Sequence, residues 1–501
     1  MNNEVLIVGA GPSGLALAIS LSNQRIPFRI IDKNDGPGTE SRAMVIQARV
    51  LEFYQQFGFA DKVTEKGITV NTFNIYKNKR NVAEAPVGEI GKGMSPFPYI
   101  LTLPQDVHEK ILVEELNKLG HKVYWGQELV DFSDGEDVVE STINTLDGKL
   151  TETFAYVCGC DGASSIVRES LGISFPGGTY PQTFFVADVE NDVPFKGGAI
   201  GFHDDYFCVG FPVRTTGQVR LIGVVPEQYK IDGHSPKNFT PLIPYAQSIL
   251  SVKINKVNWY SLYRVHHRVA DKFREGRVFI CGDAAHIHSP AGGQGMNTGI
   301  SDALNLSWKI AAVMKNKASS TLLDTYEPER IKFAQTLVHT TDKAFQLMTN
   351  NRYVKNLVIP FFAPRLLHFR TFKNLLFKTV SQIRINYHES NLSDGTCRKI
   401  KGGDRLPWVH TDKFDNFAPL KSLDWQIHVY GEANHKVETL AFKTGIPLYN
   451  VAWSRSIQAK GIKSNSVFLI RPDGYISVAT DNQNLEPVKN MIHYYNIRRL
   501  N

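Results

Sequence analysis

The apolar residues of this chain fall into short continuous runs that stop at a glycine and give way to segments of helical spacing. Val278-Phe279-Ile280-Cys281 is such a run, with the length and composition of a buried strand. Gly282-Asp283-Ala284-Ala285-His286 closes it, and a loop of small residues extends from Ser289 to Gly295. Ile300, Ala303, Leu304, Leu306, Trp308 and Ile310 then recur at helical spacing. A strand, a glycine-rich loop and a helix in that order bring bare backbone N–H groups and a helix N-terminus to one point. That point carries about half a positive elementary charge and suits an anionic ligand. Taken alone, the pattern also fits an ordinary strand-to-helix connection.

The same pattern opens the chain. Glu4 to Val8 is a short apolar strand, Gly9-Ala10-Gly11-Pro12-Ser13-Gly14 follows at once, and Leu15, Leu17, Ala18 and Leu21 make a helical face. A second strand, Phe28 to Ile31, ends in Asp32. Strand, GxGxxG, helix, strand and an acid about 20 residues beyond the glycines form a dinucleotide-binding unit. Gly9 permits the tight turn, Gly11 lets the backbone reach a pyrophosphate, and Gly14 allows helix and strand to approach. An Asp32 carboxylate accepting from the adenosine ribose favours NAD or FAD over NADP as resident ligand.

Further along, Ser41-Arg42-Ala43 opens a helical stretch through Leu51, Phe53 and Tyr54 to a stop at Gly58. Val70 to Val87 alternates as strands do, Gly88 to Pro98 is a loop, and Gln105 precedes a helix. Val123 to Trp125 is a strand, and Val138 to Leu146 begins a hairpin turning at Asp147-Gly148. Ala155 to Gly162 is again an apolar strand with a polar turn, after which Ser164, Ser165 and Arg168 start a helix. Phe175 to Tyr263 is β-rich, which predicts most of an antiparallel, substrate-facing domain. Residues 300–350 read as mainly helical.

Between Asp342 and Glu389 there is no acidic side chain, and basic residues alternate with Phe and Leu. The pattern predicts a helix pair, broken at Pro360 and Pro364, that packs between domains with its Lys/Arg face in water; a membrane-touching surface is the alternative. From Lys401 the spacing predicts a small α/β module with strands at Ser422–Tyr430, Val467–Ile470 and Tyr475–Ala479, and without a CxxC pair.

Composition narrows the class. With 501 residues, 42% of them hydrophobic and 21% charged, the chain is globular and long enough for two to four domains. A net charge of +7 without zinc-finger spacing or an aromatic RNA-binding signature points away from nucleic acid. The five cysteines are odd in number and scattered, which predicts a reducing compartment, the cytoplasm. Cys158-Gly159-Cys160 has no second ligand pair and reads as strand packing, so no metal is expected. Glycines interrupt the apolar run from Val5 to Leu21, and no run reaches the ~20 residues of a membrane span.

Three stretches, GAGPSG at 9–14, CDGASSIVR at 160–168 and GDAAHIHSPAGGQGMN at 282–297, stand in the order and approximate spacing of a known family. They resemble the single-component (class A) flavoprotein monooxygenases, the family of para-hydroxybenzoate and phenol hydroxylases. VHHRVADKFREGRVFICGDAAHIHSP, residues 265–290, is most similar to the polyketide-type and rifampicin-type members. The departures are Cys281 in place of alanine and Ile331-Lys332 in place of Pro-Val.

The resemblance implies an α/β fold with a Rossmann-type, glutathione-reductase-like FAD domain from 1–75, 100–174 and 275–345. It further implies an interleaved antiparallel β substrate domain (76–99 and 175–274), a helical connector (346–400) and a thioredoxin-like C-terminal domain (401–501). Gly9, Gly11, Pro12, Ser13 and Gly14 would hold the FAD pyrophosphate and Asp32 the ribose, with Arg42 and Gln105 beside the pyrophosphate and ribityl region. Asp161 and Arg168 belong to the motif tied to both FAD and NAD(P)H binding, and Arg42 is also tied to NAD(P)H. Asp283 would bond the ribityl chain, Pro290 would lie beside the isoalloxazine, and Gly295, Met296 and Asn297 would present N–H groups to its pyrimidine edge. The implied reaction takes NADPH or NADH and O2 and inserts one oxygen atom into an aromatic, phenolic or polyketide-like molecule through a C4a-hydroperoxyflavin, on non-covalent FAD, in a monomer or homodimer. His203, Tyr206, Phe211 and His266 are substrate-side candidates. A halogenase or dehydrogenase on the same fold, or a non-catalytic FAD and aromatic-ligand binder, are the alternatives; Trp408 and Trp425 stand alone, without the halogenase Trp-x-Trp-x-Ile-Pro.

Overall fold

The computed structural model describes residues 3–38, 43–192, 197–203, 206–213, 217–230, 233–289, 293–350, 358, 363–366, 369–411 and 414–499. Its central sheet has six strands, in the order Arg274–Glu275, Val278–Ile280, Tyr156–Gly159, Val5–Val8, Phe28–Asp32 and Val123–Trp125. Every pair is parallel except the edge hairpin of Arg274–Glu275. Parallel strands are covered on both faces, which is why VLIV, YVCG and VFI are unbroken apolar runs. Val8 lies beside Gly159, and Gly159 beside Ile280. The three strands therefore end level, and the chain leaves them at Gly9, Cys160 and Cys281 along one edge. That carboxyl edge is where ligands of open parallel sheets bind.

The second sheet has eight strands, in the order His286–Ile287, Ile254–Val269, Gly177–Asn191, Gln218–Val224, Tyr206–Pro212, Gly198–His203, Thr72–Lys77 and Arg80–Pro86. Thr72–Lys77 spans residue 75 and pairs parallel to Gly198–His203; the remaining pairs are antiparallel. The first strand of the order, His286–Ile287, comes directly after the Gly282 turn, so the two sheets meet at that turn. The helix expected from Ser41 begins at Ala48 instead, and Ser41 and Arg42 lie outside the described residues. Val45–Ile46 forms a short strand against Ile100–Thr102 before it. Gly58, at φ 85°, closes that helix as expected.

Of the basic stretch, helix Arg370–Val380 packs its apolar face inward. Phe377 is buried, and a Cβ on Gly91 would sit 2.3 Å from its ring. Phe372 and Leu376 rest on the main core while Arg370 and Lys378 are exposed, which is the interdomain packing the spacing predicts. The expected break at Pro360 lies outside the described residues.

The C-terminal sheet runs Leu448–Val451, Gln426–Tyr430, Ser466–Ile470 and Ile476–Thr480, parallel in its first pair and antiparallel in the others. The expected strand from Ser422 starts at Gln426, because a 3-10 turn with Pro419 near its start occupies Ala418–Ser422. Leu448–Val451 escapes the sequence pattern, being short and half-exposed. This module shares its core with the central domain: Trp308 and Ala312 of helix Gly295–Met314 cluster with Trp425, Ile427 and Val429, and the two indoles meet edge-on at 5.5 Å. Charge also crosses the boundary. Buried Glu329 accepts from Arg471 at 2.8 and 3.0 Å, from Lys309 at 2.8 Å and from Ser390 at 2.6 Å. Burial alone would raise the Glu329 carboxyl, but Arg471 and Lys309 outweigh it and hold the group low; burial draws Lys309 down to about 8.

Glu329→Gln leaves Lys309 buried without a counter-charge and Arg471 with Asp473 alone, so global unfolding by denaturant should show a loss of about 3–5 kcal/mol. A loss below about 1 kcal/mol would mean that water reaches the cluster. His108 supplies a pH test. It is fully buried beside the Tyr54 hydroxyl, 2.8 Å from Nε2, and burial draws it down to about 3. The unfolded chain takes up a proton on this group near pH 6.5 that the folded chain refuses. Stability therefore falls as pH drops from about 6.5 toward 4, and His108→Gln should remove about one proton from that slope.

Candidate active site

The GxGxxG turn is shaped by contacts that leave no room for side chains. Gly9 has φ 101°, and a Cβ there would lie 2.4 Å from the Cys160 carbonyl oxygen. A Cβ on Gly14 would lie 1.9 Å from the Gly9 oxygen. Gly11 differs, since a Cβ there meets nothing within 4 Å and would instead fill the ligand side of the turn. Pro12 starts helix Pro12–Asn23, which has no side-chain cap, so its leading N–H groups face that side. Asp32 closes the far end, accepting from Ala10 N–H at 2.7 Å and Asn34 N–H at 2.9 Å.

Ser13 joins this turn to the opposite motif. Its hydroxyl would lie 2.6 Å from a Cβ on Gly282 and 2.4 Å from one on Gly299. Gly282 has φ 62°, and its N–H donates at 3.0 Å to Asp302, a fully buried carboxylate. Asp302 also meets His286 Nε2 at 2.7 Å and takes the Arg330 guanidinium at 2.6 Å. Burial would raise this carboxyl, but Arg330 and His286 hold it below its usual range. Asp283 projects from the turn and is exposed, on the same edge as Gly11.

Helix Gly295–Met314 begins without a side-chain cap. The Asn297 side chain is spent on positioning: it accepts from Gln47 N–H at 2.9 Å and donates to Val45 O at 2.8 Å and Gly293 O at 2.9 Å. Its contribution to a ligand is the backbone N–H alone, as at Gly295 and half-buried Met296. Gln382 ties the same turn to the end of helix Arg370–Val380, donating to Gln294 and to Thr298, each at 2.8 Å.

Asp161 and Arg168 flank the third turn. Asp161 accepts from Val167 N–H at 3.3 Å, its other oxygen is buried without a partner, and burial raises its carboxyl. Arg168 is buried, donates at 3.1 Å to the Ala284 carbonyl and stacks at 4.1 Å on Phe175, so it braces the Gly282 turn. Gln105 accepts from Ala43 N–H at 3.1 Å and donates at 2.8 Å to Glu109. Arg42 and Pro290 lie outside the described residues.

An apolar cavity of about 230 Å3 adjoins this edge. Val45 and Gln47, which Asn297 holds, form one wall; Phe73, Ile75 and Ile200 of the large sheet form another; Leu376, Phe377 and Val380 close it. Among the described residues no charged one lines it, and the polar ones there are Gln47, Tyr99 and Ser381. Phe211 rests edge-on against Phe73 at 5.7 Å, next to this cavity. His203 and Tyr206 sit at the far end of their hairpin, roughly 15 Å along the strands. Thr179 meets His266 at 2.7 Å. Those three are not gathered with Phe211.

FAD was tested against these residues by the polar atoms they leave over. Gln47 Oε1, Asp161 Oδ1, His288 Nε2 and Ser289 Oγ are buried and unpartnered. His288 Nε2 is 3.7 Å from where a Gly295 Cβ would stand. Uncapped helix starts, an open Gly11 and these leftover atoms lie along one edge, which fits an extended ligand with phosphate and amide-like groups. Asp302, Arg330 and Glu109 were not singled out from sequence. Asp302 had a signal, an acid among Ile300, Ala303 and Leu304 on a core face, where a charge must find a partner. No group of residues suited to a metal occurs among the described residues, and no helix there is long and apolar enough to cross a membrane.

A parallel sheet with three level turns, two uncapped helices and an adjoining apolar cavity defines a dinucleotide-binding protein of the open-sheet kind. Residues 2–341 match the family model described as FAD binding domain. The chain is 34% identical to 6-methylpretetramide 4-monooxygenase of Streptomyces rimosus, over 81% of this chain and 73% of that one. It is 30% identical to rifampicin monooxygenase of Streptomyces venezuelae, over 96% of each. Among solved structures, the anhydrotetracycline hydroxylase OxyS of Streptomyces rimosus superposes with TM-score 0.79 at 25% identity, over 99% of both chains. The chain belongs to the FAD-dependent aromatic hydroxylase family and is an FAD-dependent monooxygenase.

Because Gly14 has backbone on its open side, Gly14→Ala should lower the FAD content of the purified protein several-fold and reduce its Tm. Full flavin content in that variant would contradict the packing described for the turn.

Proposed function

We propose that the chain uses NADPH or NADH and O2 to place one oxygen atom on a small, uncharged aromatic or phenolic substrate. The reading rests on one observation: the apolar cavity shares Val45 and Gln47 with the uncapped start of helix Gly295–Met314. Gly9, Gly11, Pro12, Ser13 and Gly14 would hold the FAD pyrophosphate, Asp32 the adenosine ribose, Gln105 the pyrophosphate and ribityl region, and Asp283 the ribityl chain, all non-covalently, with Asp161 in a motif serving both FAD and NAD(P)H. Arg42 and Pro290 belong to the same proposal from their motifs. When bound, FAD supplies the acceptor for electrons from NAD(P)H and the means of activating O2.

The protein's part is electrostatic and steric. The N–H groups of Gly295, Met296 and Asn297, with the helix behind them, stabilise negative charge at the cofactor's edge. Asp302, Arg330 and Arg168 fix the turn that carries Asp283, so the site needs little reorganisation. Walls of Phe73, Ile75, Leu376 and Phe377 exclude water. Tyr99, Gln47 and Ser381 are the groups available to a phenolic hydroxyl. A cavity of 150 Å3 takes benzene, so about 230 Å3 suits a ring system somewhat larger than one ring. A relative named for pentachlorophenol takes a single ring of that order, whereas rifampicin, in another relative's name, is far larger than this cavity.

The order of the C-terminal sheet, with a parallel first pair, an antiparallel hairpin and a final helix Glu486–Tyr494, supports a thioredoxin-like module without its thiols. Five free, buried cysteines support work in a reducing compartment, the cytoplasm.

The test is NAD(P)H oxidation by the yellow protein across uncharged phenols, naphthols and hydroxybenzoates, with product mass. One added oxygen on an uncharged phenol is the expected result, with hydroxybenzoates turned over at least tenfold more slowly. Leu376→Trp should keep its flavin and lose substrate-dependent oxidation. A halogenated or dehydrogenated product would replace this reading with another reaction on the same fold.

A further inference from the structure

A second concave site lies at the opposite end of helix Gly295–Met314 from the flavin edge. Helix His435–Thr444, helix Glu486–Tyr494 and the segments at 317 and 496–499 enclose a groove of about 610 Å3. Its walls carry Lys317, Lys443, Lys489, Arg498 and Arg499, with His493 beside them. Five basic side chains in one groove are a large share of the excess in a chain whose net charge is +7. Asp424 stands 4.0 Å from Arg499, and among the described residues no ion pair neutralises Lys317, Lys443, Lys489 or Arg498. Neighbouring Lys315 is drawn down by burial first, with Arg25 and Lys317 adding to the shift and Asp424 opposing it.

Helix C-termini offer a competing account of these cations. Three helices, Gly295–Met314, His435–Thr444 and Glu486–Tyr494, end around the groove. Each end carries about half a negative charge. With Asp424 they offset about half of the positive charge and leave an excess of about two and a half units. Clustered like charges of that size are unfavourable until an anion joins them.

We propose that this groove binds a compact polyanion carrying two or three linked phosphoryl groups. Lys and Arg side chains reaching in from three directions match phosphate oxygens, which take charge-assisted hydrogen bonds from each. The floor is aliphatic, made by Leu440, Ile492 and Ile497. Among the described residues no Phe, Tyr or Trp lines the groove, and the single His493 ring is a poor platform for successive bases, so the groove reads charge rather than sequence. Its concave shape fits neither a flat membrane nor a DNA duplex. Helix Gly295–Met314 has 20 residues and is about 30 Å long. Phosphates bound here are therefore too far from the flavin edge to belong to a reductant in the act of transferring hydride. The site is a remote one, and it stands whether or not the proposed reaction does.

Calorimetric titration of the flavin-loaded protein with tripolyphosphate, ATP and AMP tests it. Tripolyphosphate and ATP should bind with similar, micromolar affinity that weakens steeply with salt, and AMP at least tenfold less well. Lys443→Glu/Lys489→Glu exchanges exposed side chains and should weaken tripolyphosphate at least tenfold, with flavin content and the KM for NAD(P)H unchanged. A wild-type protein that binds no tripolyphosphate at low salt, or a variant that binds it equally, overturns the site. A raised KM for NAD(P)H in the variant would assign the groove to the reductant, and tighter binding of a poly-glutamate peptide would assign it to an acidic polypeptide; either result overturns the proposal.

Discussion

Asp302 is a single carboxylate buried in the helix that leads away from the cofactor edge, and three elements converge on it. It receives the Gly282 N–H, the His286 ring and the Arg330 guanidinium. A carboxylate in that position is tolerable only if every oxygen is satisfied. The satisfaction sets the geometry: Gly282 is held in a left-handed turn, the strand His286–Ile287 is started, and Arg330 draws the next long helix inward. The large sheet thus begins at a residue fixed by the same carboxylate that fixes the cofactor turn. The spacing between cofactor edge and substrate cavity follows from one charge balance.

Much of this arrangement is legible in the order of residues. Runs buried on both faces, such as VLIV and VFI, betray parallel strands because no alternation is required of them. The glycines at 9, 11 and 14 name their roles, since a backbone that must approach another backbone admits no Cβ. What the pattern does not show are partners chosen across hundreds of residues. Asn297 looks like a ligand residue in its motif, yet its side chain is consumed by Val45, Gln47 and Gly293. Phe211 lies next to the cavity, whereas His203 and Tyr206, on the same hairpin, stand far from it; strand length, not residue type, decides this. The strand Leu448–Val451 has neither alternation nor a long apolar run, and only its parallel neighbour defines it.

The wall of the cavity also draws on a region outside the matched family model. Leu376, Phe377 and Val380 come from a stretch whose composition suggested little beyond a basic amphipathic helix. Its inner face lines the cavity proposed for substrate, while Gln382 at its end bonds to the first turn of the helix proposed to carry the flavin's negative edge. Substrate fit and cofactor environment are therefore mechanically adjacent.

The family model stops at residue 341, but cooperativity does not. The second half of helix Gly295–Met314 turns Trp308 and Ala312 toward Trp425, and Lys309 and Glu329 share their charge with Arg471. A chain cut after the matched segment would expose an indole and leave a lysine–glutamate pair without its arginine. The segment that the family model matches and the unit that shares one core are different lengths of polypeptide. Removing the C-terminal module would therefore mean rebuilding the core of the flavin domain around Trp308 and Lys309.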